Sequence, residues 1–223
     1  MQPGVVLISD PRVISIAVHD NGDPLVDLRR LPGLRIDDRK TEVTGGWHHA
    51  RQGLAERLAG AASTLPRGLE LLIVEAYRAP VRQLAYWEQY RAELREHYPD
   101  PSEPQLFELA SRFVAPPEVA PHTTGGAVDL TLCDADGREL DLGSALDATP
   151  EQSNGCCYTA AEVPTPAAAN RAVLVAALRD AGLVNYPTEW WHWSYGERYW
   201  AFMTGSAHAL YDRIEFARPG SVD

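Results

Sequence analysis

Residues 69–76 read LELLIVEA, and a run this apolar can be placed in few ways. Closed off from what precedes it by the PRG at 66–68, it reads as a buried strand. A buried strand needs other layers to cover it, and its neighbours supply them. Trp47, Ala50, Leu54, Leu58 and Ala61 recur at three- and four-residue steps, which predicts an amphipathic helix over 47–62. After Pro80 the same spacing returns in Leu84, Trp87, Tyr90, Leu94 and Tyr98, and Ser102 with Pro104 opens a further helix through Val114. GGAVDLTL, 125–132, is a glycine turn leading into a second strand. A late helix over 166–181 has Thr165 as N-cap, Pro166 at its first position and Gly182 just past its end. Short strands are expected near 183–186, 190–194 and 199–203. Helices gather early and strands pair late without regular alternation, so the fold class is α+β, with helices packed on a mostly antiparallel sheet. At 223 residues and 45% hydrophobic content, the chain fits one small domain spanning 1–223.

Charge narrows the ligands. A formal net charge of -11 opposes binding to phosphate backbones and anionic membrane surfaces, so neither nucleic acid nor membrane is expected as a partner. The first twenty residues carry no basic leader, and Asp10, Pro11 and Arg12 interrupt their apolar run. They read as neither signal peptide nor membrane span, which makes a cytoplasmic enzyme the default. Cys133, Cys156 and Cys157 have no metal-finger spacing and are expected as free thiols. The sequence does not indicate an oligomeric state.

Two segments carry the chemistry. In HTTGGAVDL, His122 precedes the glycine turn, and Asp129 lies on the strand with Thr131 on its own face and Val128, Leu130 and Leu132 on the other. A carboxylate buried there has to be paired or bound to a metal. Glycines 125 and 126 let the backbone fold back so that His122 reaches an ion bound by Asp129. In TEWWHW, 188–193, His192 offers a third ligand, which completes a catalytic zinc set with an open position. Glu189 is left as a base for water. On an ideal strand Glu189 and His192 would point to opposite faces, so a bulge or a single helical turn is required between them. Arg78, in the turn EAYRAP that ends the first strand, is placed either to cap that strand in a salt bridge or to stabilise an oxyanion. His19, His48, His49, His97 and His208 lack such surroundings. His48 and His49, on the early helix, read as a solvated or partly packed pair.

Together these residues resemble the D-alanyl-D-alanine dipeptidases, zinc peptidases associated with vancomycin resistance and peptidoglycan dipeptide turnover. The family pattern of His, six residues, Asp is matched by His122 and Asp129, and its Glu-x-x-His by Glu189 and His192. Its tyrosine-arginine-proline turn is matched by YRAP with one extra residue, which aligns Arg78 with the transition-state arginine. The resemblance implies one zinc ion per chain, a small dipeptide substrate, and a fold shared with D-Ala-D-Ala carboxypeptidases and the hedgehog signalling domain. GSALD, 143–147, looks like the segment whose aspartate binds the substrate ammonium, a role that falls to Asp147. Thr123 and Thr124 stand where the family often has serine and arginine. The tyrosine that holds the substrate amino end in better-known members has no clear counterpart in LVDLRRLPGLRIDD. The implied activity is zinc-dependent hydrolysis of D-Ala-D-Ala or a related dipeptide. Other possibilities are a D,D-carboxypeptidase or peptidoglycan amidase of the same fold, a non-catalytic zinc module, and a thiol enzyme using Cys156 or Cys157.

Overall fold

The computed structural model describes residues 4–216. In chain order the elements are α1 (Pro11–Ile14), β1 (Leu25–Asp27), β2 (Leu34–Ile36), β3 (His49–Arg51), α2 (Gln52–Thr64), β4 (Leu69–Glu75), α3 (Pro80–His97), α4 (Glu103–Ala110), β5 (Ala127–Asp134), α5 (Thr165–Asp180), β6 (Val184–Asn185), β7 (His192–Ser194) and α6 (Arg198–Thr204). The main sheet runs β2-β4-β5-β7-β6. Its β2–β4 pair is parallel and the other three are antiparallel, so the expected α+β class with a mostly antiparallel sheet is what forms.

Strand alternation sorts β5. Val128, Leu130 and Leu132 join Leu54 and Leu58 of α2 and Leu174 and Leu178 of α5 in the main core, each essentially unexposed. Each such leucine contributes about 1.5–3 kcal/mol by leaving water. Asp129 and Thr131 therefore take the opposite face. A second apolar cluster, with Trp87, Tyr90 and Leu94 of α3 against Leu106 and Ala110 of α4, makes those helices a unit beside the sheet. Ser102 opens α4 as expected, its N–H and hydroxyl donating to Gln105 Oε1 at 3.0 and 2.8 Å.

Three local expectations are corrected. The early helix starts at Gln52, not at 47, because β3 pairs with β1 and the Arg51 guanidinium is tied to the Thr124 and Asp23 carbonyls at 2.9 and 2.6 Å. His48 consequently falls in a turn and His49 on β3, both outside the helix. Residues 199–203, expected as a strand, are α6: Glu197 accepts from the Tyr199 and Trp200 N–H groups at 2.6 Å each, and Gly205 closes the helix with φ 70°. Thr165 is the first helical residue of α5, not its cap. Among the described residues no helix is long and apolar enough to cross a membrane.

Candidate active site and metal centre

Register builds the centre. Glu75 of β4 lies opposite Asp129 of β5, and Asp129 lies opposite His192 of β7, so three polar residues stand abreast on neighbouring strands. His122 arrives from the 3₁₀ turn Pro121–Thr124, which Gly125 ends in left-handed conformation at φ 71°. Gly126 is needed for a different reason: a Cβ there would lie 2.8 Å from the Tyr195 carbonyl oxygen. Thr123 and Thr124 serve this turn, their hydroxyls donating to the Ala120 and Pro121 carbonyls at 2.8 and 2.7 Å. Glu189 and His192 are joined by the required turn, with the His192 N–H reaching the Glu189 carbonyl at 3.3 Å. Asn185 clamps it, its amide donating to the Glu189 and His192 carbonyls at 2.9 and 3.0 Å.

Three ligand-type atoms converge. Asp129 Oδ2 is 3.2 Å from His122 Nε2, Asp129 Oδ1 is 3.0 Å from His192 Nδ1, and the two nitrogens are 3.1 Å apart. His122 Nδ1 lies 2.6 Å from the Ala76 carbonyl, which can only accept, so Nδ1 carries the proton and the Nε2 lone pair faces the other two groups. Tetrahedral zinc with bonds of about 2.0–2.1 Å has ligand atoms roughly 3.3 Å apart. The buried His122, Asp129 and His192 group fits such an ion in spacing and in donor type. Burial alone would raise the Asp129 carboxyl; the imidazoles of His122 and His192 outweigh it and hold the group well below the usual carboxylate range.

The remaining expected residues line the same cavity, of about 270 Å³, with apolar walls from Phe113, Tyr186 and Trp191. Glu189 Oε2 is 3.9 Å from His192 Nδ1. Burial, reinforced by the Asp129 and Asp147 carboxylates, pushes the Glu189 carboxyl well above its ordinary value. Such a group holds a proton more readily than an ordinary carboxylate. Arg78 lies 3.6 Å from Asp129 Oδ2 and is held by Glu75 at 2.6 Å and Gln83 at 2.8 Å. Its Nε–H has no partner among the described residues. Asp147 also lines the cavity and pairs with Lys40 Nζ at 2.6 Å. Burial raises its carboxyl although Lys40 opposes the shift.

Sequence reasoning missed Glu75, Gln83, Lys40 and Asn185. Glu75 had a signal, a charged residue closing the most apolar strand; the other three partners are set by tertiary contact. The three cysteines are free, as expected. Burial pushes the Cys157 thiol up to about 11, opposite to an activated nucleophile.

Residues 48–209 match the family of peptidases described as D-ala-D-ala dipeptidase. A D-alanyl-D-alanine dipeptidase of Synechocystis is 24% identical over 233 residues, covering 91% of this chain and 94% of that protein. The Escherichia coli K12 D-alanyl-D-alanine dipeptidase is 33% identical over 125 residues, covering 56% of this chain and 54% of its own. One from Streptomyces coelicolor is 31% identical over 137 residues, covering 58% and 64%. Among solved structures, the LdcB LD-carboxypeptidase aligns over 86% of this chain and 77% of its own at 18% identity, with a TM-score of 0.38. The matched segment holds both histidines, Asp129, Glu189, Arg78 and Asp147, and by that match the chain belongs to the D-Ala-D-Ala dipeptidase family of peptidases.

Proposed function

We propose that the chain is a zinc-dependent dipeptidase, a single catalytic domain over residues 1–223, acting on D-Ala-D-Ala or a related dipeptide. The observation that carries this reading is one cavity in which a two-histidine, one-carboxylate donor set faces a buried glutamate and the Arg78 guanidinium. His122, Asp129 and His192 would hold the zinc ion, which supplies Lewis acidity that acidifies water and polarises a carbonyl. Glu189 takes a proton from the attacking water on its carboxylate and returns it to the leaving amine. Its raised affinity for protons suits the return step. Arg78, kept charged and oriented by Glu75 and Gln83, holds the oxygen that becomes negative at the scissile carbon. Apolar walls strengthen both contacts by excluding water.

Asp147 would pair with the free ammonium of the dipeptide. The Lys40 contact favours a second reading, a carboxypeptidase acting on amino-blocked peptides, because that carboxylate is already neutralised. Metal analysis tests the ligand set. His122→Ala, Asp129→Ala and His192→Ala should each lose the zinc of this centre, whereas an ion retained at it in all three would overturn the assignment.

A further inference from the structure

Asp27, His48 and His49 form a second cluster outside the catalytic cavity. Asp27 ends β1 directly opposite His49 of β3. One ring nitrogen of each histidine and one Asp27 oxygen lie within 4.8 Å of one another. His48 is only 3% exposed. Its Nδ1 approaches Asp27 Oδ1 to 3.0 Å, yet that nitrogen has no aligned hydrogen-bond partner among the described residues. His49 Nδ1 lies 3.1 Å from the Gly45 carbonyl, so it carries the proton and leaves Nε2 with its lone pair.

We propose that Asp27, His48 and His49 bind a second divalent ion of the zinc class, independently of the catalytic centre. Two imidazoles with one carboxylate suit zinc, nickel or copper and not magnesium or calcium. Arg29 holds the Asp27 carboxylate, its Nη2 donating to Oδ2 at 2.7 Å and its Nε and backbone N–H donating to Oδ1 at 3.0 Å each. Such contacts orient a ligating carboxylate. The nearby guanidinium also repels a cation, so this is the weaker of the two centres. The cluster opens on a groove lined by Gln52, Glu56 and Trp47, which gives an ion a path in. The backbone beside the cluster also adjoins the strand that leads to the catalytic centre. The Trp47 and His49 carbonyls accept from the Ala76 and Tyr77 N–H groups at 2.6 and 2.9 Å, and the Ala76 carbonyl in turn holds His122.

Equilibrium dialysis of the full chain against Zn2+, with metal and protein quantified, tests the proposal. The wild type should hold one more zinc than Asp27→Asn or His49→Gln. Both variants should keep the catalytic-centre ion and a wild-type circular dichroism spectrum, and Mg2+ should not substitute. His122→Ala should keep the second ion. A wild type that binds no more zinc than folded His49→Gln overturns the proposal. This difference is read between proteins with an intact catalytic centre, so failure of the catalytic assignment would show separately, in His122→Ala.

Discussion

Replacing Glu189 by glutamine removes a proton acceptor while preserving shape, and so separates holding metal from using it. Glu189→Gln should retain zinc and lose turnover by about 10²–10⁴-fold, the range for general acid–base catalysis. Activity assayed with metal content verified checks it, and near wild-type rates would exclude the role. Arg78→Lys keeps a charge beside Glu75 but loses the planar fork, so kcat should fall by about 10²-fold with zinc retained. Asp147→Asn should selectively weaken substrates with a free amino group, by about 1.5–3 kcal/mol for a lost charge-assisted contact. Hydrolysis of D-Ala-D-Ala and its N-acetyl form by both proteins reads this directly. Equal wild-type rates on the two would favour the carboxypeptidase reading. At this scale the grouping of the residues was legible because His122 with Asp129 and Glu189 with His192 are short-range patterns, and the fold brings all four to one cavity. Lys40 was not legible, because its bond to Asp147 spans the fold and leaves no local trace.

Elements position the cavity wall through one half-buried acid. Glu151 accepts from Tyr90 and Tyr98 at 2.9 Å each and from Arg112 at 3.2 Å, tying α3 and the chain after α4 to the loop that carries Asp147. Burial alone would raise its carboxyl, but the Tyr90 and Tyr98 hydroxyls and Arg112 hold it below its ordinary 4.5. A depressed folded value means the stabilisation is fully present above about 4.5 and is lost as pH falls through the folded value. Glu151→Gln should cost about 1–2 kcal/mol at neutral pH. The gap to wild type should narrow on acidification below the ordinary carboxylate range, and urea titrations at pH 7 and pH 3 would show whether it does. Long amphipathic helices were legible because their periodicity is set by burial against one core. The segment 47–51 shares that periodicity but spends it on a strand pair with β1, which lies more than twenty residues earlier. Residues 199–203 look like a strand by aromatic content, and only the side chain of Glu197 decides for helix.

Across the whole molecule, the β4-β5-β7 register makes the centre a product of the sheet: Glu75, Asp129 and His192 are neighbours because the strands pair as they do. The order of helices and strands from α2 to β7 was legible, and the α+β class followed from it, whereas α1, β1, β2, β3 and α6 were not. The strand pairing that sets this row was not, since register depends on contacts no single segment contains. If the row is built for hydrolysis, activity has to follow the metal. D-Ala release from D-Ala-D-Ala, measured before chelation, after chelation and after zinc is returned to the same sample, puts that to the test. The expected result is turnover that disappears with the metal and returns with it. Release that persists unchanged in metal-free protein, or none at all from the zinc-loaded protein, would contradict the account.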